Sequence, residues 1–465
     1  MVPAMRVIML SWEYPPRIVG GISPHVHDLS EELSRQGVEV HVVTKETPNA
    51  PDEEVESSGV HVHRVHLNEK PNDFVHEIQL LNQATDVRVR RLLEDWRPGG
   101  LPTIFHAHDW LSLDAARALK YEYKLPFVAT VHATESGRHG GIFNETSRYI
   151  HDQEYWLTYE AWRIIVCSEF MKGEVARLFN SPSDKIDVVY NGVKAETFDF
   201  AWPDPEREKL RAKYALPHEK LVIFVGRFVR EKGIQVLLNS ANSILAQEPD
   251  AKFLIVGGGN RDKFERFTEW VGLKDKVAFT GFMSGRSLHQ LYRIADVAVF
   301  PSLYEPFGIV ALEAMAAGAA VVASDAGGLR EVVLHDQTGT LCYAGDPASL
   351  AWAVLRVLQN PERAQRLAQA AKERLTRDFG WKGIAEQTMA IYQRVWGEFL
   401  ESYWCENTVW PVSPGAEERA RELELTSKAE KGALEVSSPT VPLGLQPPIE
   451  PLLDPDEDWL DSPIV

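Results

Sequence analysis

The sequence predicts an α/β chain of two doubly wound domains. Three observations predict it: short apolar runs alternate with amphipathic helical patterns, the alternation restarts near residue 220, and the runs close on glycine or polar residues. With 465 residues, 44% hydrophobic and 25% charged, the chain falls in the soluble globular range and is too long for one compact core. Two domains and an appendage are therefore expected.

Residues 6–12 read as a buried strand that leads into a loop carrying Pro15-Pro16 and Gly20-Gly21. An amphipathic helix over about residues 24–36 and a strand over 38–44 complete a βαβ unit. Apolar runs at 103–106, 127–132, 164–167 and 186–189 continue the alternation, which specifies a parallel sheet with helices on both faces. After Asn191-Gly192, residues 198–217 are rich in charge and proline, and a strand at 221–225 restarts the pattern. Runs at 252–256, 277–280, 297–300 and 320–324 build a second sheet. The expected domains span residues 1–200 and 201–380. A long amphipathic segment follows over 381–404, and residues 405–465 form an acidic Pro/Ser-rich tail expected to be disordered.

The formal net charge of -18 argues against a broad electrostatic grip on nucleic acid or an anionic membrane. From Pro411 to Val465 there are twelve acidic and four basic residues, so the tail carries much of that imbalance but not all of it. Any anionic ligand must be held by a local cluster of donors. Cys167, Cys342 and Cys405 are scattered without a CxxC pair, so neither a zinc knuckle nor a disulfide framework is read, and a reducing cytoplasm fits best. The apolar run Val7 to Leu10 is far shorter than the roughly 20 residues of a membrane span, and no signal peptide or membrane anchor is expected.

The strongest local signal is the run from Glu305-Pro306 through Gly308, Ile309 and Val310 to Glu313, directly after an apolar strand. Proline biases Glu305 away from helix, whereas residues 308–317 are a good helical pattern, so one carboxylate should sit in the turn and the other inside the helix. Two acceptors at different depths then flank the free N–H groups of a helix start, a layout that suits a nucleotide diphosphate-sugar. Two surface glutamates would give the same spacing. At the end of residues 221–225, Gly226-Arg227 and Lys232 would face the carboxyl edge of the second sheet and could neutralise a departing diphosphate; an ordinary solvated charge run reads the same way.

Gly20-Gly21 follows a strand and precedes a helix, which allows a phosphate close to the backbone or simply makes a tight turn. Neither this pair nor Gly257-Gly258-Gly259 completes a dinucleotide fingerprint, and residues 226–232 lack the second glycine of a P-loop. His132 closes another strand at a sheet's carboxyl edge, where a lone histidine is more often structural. His106-Ala107-His108-Asp109 shows no third ligand at metal spacing, and Asp454-Pro455-Asp456 lies in the tail, so no metal is expected. Tyr149, Tyr155, Trp156, Tyr159 and Trp162 stand at partly helical spacing, which reads more readily as core than as a sugar-stacking platform.

Taken together, Gly20-Gly21, His132, Gly226-Arg227 with Lys232, and the Glu305 to Glu313 run resemble the GT-B glycosyltransferases of family four and the neighbouring glycogen and starch synthases, over about Met5 to Tyr403. The resemblance implies two Rossmann-like domains facing across a cleft, with residues 381–404 crossing back onto the first. It implies a nucleotide-sugar donor on the second domain, with Glu313 on the ribose, Arg227 and Lys232 on the diphosphate, and Glu305 on the sugar hydroxyls. Gly308, Ile309 and Val310 join that donor site, as do Gly20 and Gly21 from the first domain, and His132 meets the transferred sugar. It further implies retention of configuration without a metal or other cofactor.

The expected reaction moves a hexose, glucose foremost, from a UDP- or ADP-sugar to a carbohydrate acceptor such as an α-glucan. A lipid-linked or small-molecule acceptor is the alternative, and a non-catalytic nucleotide-sugar sensor is the reading from another class. Glycogen and starch synthases carry a lysine two residues before the paired glycines, where this chain has Ile18, which weighs against ADP-glucose in particular.

Overall fold

The computed structural model describes residues 5–96, 101–408 and 410, and they form two α/β domains, each built on a parallel sheet. The first sheet contains β1 (Arg6–Leu10), β2 (Glu39–Lys45), β3 (Glu53–Val55) and β4 (His61–Val65), then β5 (Thr103–His108), β6 (Phe127–Val131), β7 (Arg163–Val166) and β8 (Ile186–Val188). Its order is β3-β4-β2-β1-β5-β6-β7-β8, and the only antiparallel pair in that sheet is β3 with β4 at the edge. The second sheet contains β9 (Lys220–Val225), β10 (Ala251–Val256), β11 (Val277–Gly281), β12 (Val297–Phe300), β13 (Val321–Ser324) and β14 (Thr340–Cys342). Its order is β11-β10-β9-β12-β13-β14, parallel throughout.

Helices cover both faces of such a sheet, so its central strands must be apolar at consecutive positions rather than at alternate ones. Val7, Ile8 and Met9 of β1 and Val222, Ile223 and Phe224 of β9 are accordingly shut off from water. The register is continuous through the middle of the second domain, where Ile223 lies between Leu254 and Ala298. Three strands went unread in the sequence: β3, β4 and β14. Each is short, and the edge strand β3 and its neighbour β4 carry Glu53, Glu54, His61, His63 and Arg64, which leave no unbroken apolar run to read.

The first strand ends at Leu10 rather than at residue 12, because Ser11 donates its hydroxyl to the Glu13 carbonyl at 2.7 Å and curls the chain out of the sheet. The following helix, Ile22–Arg35, starts earlier than its amphipathic pattern, and Pro24 fits its first turn, where no helical acceptor awaits an N–H.

Strand order reverses between β1 and β5 and again between β9 and β12. In a doubly wound sheet the crevice at that reversal, beyond the carboxyl ends, is where ligands bind. The loops after β1, β5 and β6 carry Gly20-Gly21, Asp109 and His132, and those after β9 and β12 carry Arg227 and Glu305.

Helix Trp381–Leu400 crosses back to pack on Ile22–Arg35. Its Tyr392 hydroxyl meets His106 Nδ1 at 2.6 Å, and the other ring nitrogen of His106 meets Thr130 Oγ1 at 2.7 Å, so this buried histidine is a fully engaged staple. The long helix stops at Leu400, before a short helix Tyr403–Glu406. Packed structure continues past residue 405. Thr408 donates to the Tyr123 carbonyl at 2.6 Å, and Trp410 is 1% exposed with its indole N–H on the Leu101 carbonyl at 3.0 Å. The remainder of the acidic tail, including Asp454 and Asp456, lies outside the described residues. Among the described residues, no helix is long and apolar enough to cross a membrane.

Candidate active site

Glu305 sits in the turn between β12 and helix Ile309–Ala316, and Glu313 lies within that helix. Glu305 is buried, and its Oε2 accepts from Lys232 Nζ at 2.8 Å and from the Ser302 hydroxyl at 3.2 Å. Gly308 opens the helix at φ 110°, where a Cβ would come within 2.6 Å of Leu329. Only glycine accommodates both demands. Glu313 accepts from the Tyr292 hydroxyl at 3.3 Å, and desolvation raises its carboxyl to about 7.

Lys232 ends a short 3-10 turn, Arg230–Lys232, directly before helix Ile234–Leu245. Arg227 Nη2 lies 3.4 Å from Glu231 Oε1. Burial lowers the Arg227 pKa, and the positive charge of Arg138 on the first domain lowers it further. Two guanidinium groups thus lie near enough to repel one another, a repulsion that an anion between them would relieve.

Arg138 is a residue the sequence did not single out. It belongs to helix Glu135–His139, and its guanidinium lies 3.8 Å from Asp109 Oδ2. Asp109 Oδ1 accepts the His132 backbone N–H at 2.7 Å, and burial pushes this carboxyl up to about 6. His132 is half-buried, with Nε2 at 3.1 Å from His108 Nδ1; burial lowers it to about 3, so its ring is neutral at pH 7.

The two domains meet at the mouth of this site. The Tyr304 hydroxyl donates to Glu174 Oε1 at 2.7 Å and accepts from the Thr134 N–H at 3.3 Å, with its ring seated so closely on Gly137 that a Cβ there would lie 2.3 Å away. Ser168 donates to the Pro306 carbonyl at 2.6 Å. Glu331 accepts the Glu169 and Phe170 N–H groups, each at 2.9 Å, and so caps helix Glu169–Phe179 from the opposite domain.

Gly20-Gly21 differs from the expected phosphate cradle in one respect. The Gly20 N–H is already taken by Glu13 Oε2 at 3.0 Å, and the same carboxylate oxygen accepts the Val19 N–H at 2.5 Å. Gly21 instead brings the first domain close to the second, since a Cβ there would stand 3.3 Å from Ile309 Cδ1. The aromatic segment divides: Tyr149 and Trp162 pack against the core, whereas Tyr155, Trp156 and Tyr159 cluster on the surface. Linear spacing also hid a group of metal-ligating type. His108 gains neighbours not from its own strand but from His25 and His132, one ligand atom of each lying within 4.8 Å of the others.

Sequence-family comparison matches residues 19–197 to "Glycosyltransferase Family 4" and residues 206–374 to "Glycosyl transferases group 1". An uncharacterized glycosyltransferase of Methanocaldococcus jannaschii is 38% identical over 84% of this chain and 98% of its own length. A glycogen synthase of Mycobacterium tuberculosis is 36% identical over 83% of this chain and 94% of its own. Among solved structures, sucrose-phosphate synthase from Thermosynechococcus elongatus aligns with a TM-score of 0.72 and 26% identity, covering 85% of this chain and all of that one. With two parallel-sheet domains, charged groups converging at both strand-order reversals and relatives matched over nearly their full lengths, the chain belongs to the family four glycosyltransferases of GT-B fold, related to the glycogen synthases.

Proposed function

We propose that this protein is a retaining hexosyltransferase that moves glucose from a UDP- or ADP-sugar to a carbohydrate acceptor such as an α-glucan, without a metal. The observation that carries the reading is the Lys232–Glu305 pair at 2.8 Å beside Arg227, facing His132 and Arg138 from the other domain. Arg227 and Lys232 take the diphosphate, assisted by the first-turn amides of helix Ile309–Ala316, and Glu305 accepts from sugar hydroxyls. Neutral His132 hydrogen-bonds the transferred sugar rather than countering its charge.

As the bond from C1 to the phosphate oxygen breaks, the acceptor hydroxyl bonds C1 on the same face and its proton passes to the departing phosphate. The cations stabilise the charge that grows on that phosphate. No side-chain nucleophile enters the balance. In this reading the protein works in the cytoplasm, with the acceptor approaching along the first domain.

Nucleotide release from UDP-, ADP- and GDP-sugars, with and without glycogen and in the presence of EDTA, tests the proposal. Release of one nucleotide stimulated by glycogen, with an α-linked product from an α-donor, is expected. Release that needs a lipid or small sugar instead would replace the acceptor, loss with EDTA would overturn metal independence, and tight donor binding without turnover would favour a sensor.

Glu313 adds a pH dependence. Ribose hydroxyls donate to its carboxylate form, which fills as pH rises through about 7. Donor KM is therefore expected to fall several-fold between about pH 6 and pH 8, and Glu313→Gln to flatten that profile. The linkage to stability has the opposite sense: because folding raises this pKa, the stability it contributes is present at low pH and is lost as pH rises through 7. A KM that ignores pH in the parent protein would remove Glu313 from the ribose.

A further inference from the structure

Three histidines from separate elements converge on the first-domain wall of the cleft. His25 comes from the first turn of helix Ile22–Arg35, His108 from the end of β5, and His132 from just beyond β6. We propose that His25, His108 and His132 form a site for a borderline divalent cation such as Zn2+, and that occupying it withdraws His132 from the sugar. The second part rests on the role given to His132 above; the first does not.

The distances fit. One ligand atom from each ring lies within 4.8 Å of the other two, and His108 Nδ1 is 3.1 Å from His132 Nε2. Two nitrogens on a tetrahedral zinc, each at roughly 2.0–2.1 Å from the metal, stand about 3.3 Å apart. Small ring rotations would let His25 close the third position, and the half-buried side of His132 leaves the fourth open to the cleft.

Hydrogen bonding points the same way. His25 is 5% exposed, yet neither of its ring nitrogens meets a hydrogen-bond partner. The Asn191 side chain is a polar neighbour of the His25 ring. Buried polar atoms are ordinarily paired, so unpaired nitrogens beside a converging cluster mark a position suited to a ligand. The Asp109 carboxylate holds the His132 backbone from behind.

Two neighbouring groups show what a filled site looks like. His106 packs on His108, but both its nitrogens are engaged by Tyr392 and Thr130. His27, Asp28 and Glu31 also converge, but the Lys194 ammonium already bonds Asp28 at 2.6 Å and Glu31 as well.

The test titrates Zn2+ calorimetrically into full-length protein stripped by a chelator, alongside Co2+ read by visible absorption. One ion per chain is expected, with the intense bands of four-coordinate cobalt. His25→Ala and His108→Asn should each weaken binding by about tenfold or more, with the thermal melt showing that each variant is folded. The cobalt spectrum of the unmodified protein needs no variant at all. Weak six-coordinate cobalt bands, or zinc binding unchanged in both folded variants, would overturn the site. Donor turnover should fall as zinc fills the site and recover on chelation; a filled site with undiminished turnover would overturn the withdrawal of His132. Zinc binding in a protein that turns over no sugar nucleotide would sustain the metal site and sink the transferase reading, so the two fail separately.

Discussion

Lys232→Ala is expected to lower kcat/KM by roughly 10²–10³-fold, or about 3–4 kcal/mol of transition-state stabilisation. Lys232 Nζ sits 2.8 Å from Glu305 in a partly shielded cleft, so under the proposed reaction its charge is aimed in advance and needs no reorganisation as the diphosphate departs. The variant removes that charge and leaves Glu305, 6% exposed, without its ionic partner, which sets a carboxylate against the incoming phosphates. Lys232→Arg should recover only part of the loss, because a planar fork cannot occupy the position of a compact ammonium. Arg230, exposed two residues earlier in the same turn, is the control, and its alanine variant should stay within about twofold. Steady-state kinetics with the preferred donor decide the matter: a Lys232→Ala enzyme within a few-fold of the parent would show that leaving-group charge is neutralised elsewhere.

Arg138 shows why such a site is only half legible in a sequence. Arg227, Lys232, Glu305 and Glu313 could be found because each follows a strand whose two buried faces enforce an unbroken apolar run, as in β9 and β12. The motif is anchored to a feature that hydrophobicity writes plainly. Arg138 lies in a five-residue helix among glycines and becomes part of the cleft through tertiary neighbours such as Asp109, which follows a different strand, and Arg227, which belongs to the other domain. His25 reads as one polar residue of an amphipathic helix until β5 and β6 deliver His108 and His132 beside it. Its signal is purely tertiary.

Contacts between the domains were hidden for the same reason. Tyr304 stands next to Glu305 in sequence, yet its work is to settle on Gly137 and bond Glu174 of the first domain. Glu331 satisfies two helix-start amides that belong to a helix over 150 residues earlier in the chain. These links hold the loop around Glu305 against the first domain, so the charged groups on the two sides keep a common frame.

Gly233→Ala tests the frame rather than the charges. Gly233 has φ +68°, a conformation that costs a β-carbon about 1 kcal/mol, and a Cβ built there would lie 1.9 Å from the Pro301 carbonyl oxygen. That oxygen is backbone and cannot swing aside as a side chain would. Either helix Ile234–Leu245 or the segment leading to Glu305 must shift, and the overpacking brings the total to roughly 3 kcal/mol or more. The expected result is a clearly lowered midpoint in urea together with weaker donor binding, since the same shift separates Lys232 from Glu305. Gly397→Ala is the opposite case: it lies exposed within helix Trp381–Leu400, where an added Cβ meets nothing within 4 Å, and it should stabilise the protein by up to about 1 kcal/mol. If the two variants unfolded at the same urea concentration, close packing of the Gly233 turn against Pro301 could not be what holds Lys232 and Glu305 in register.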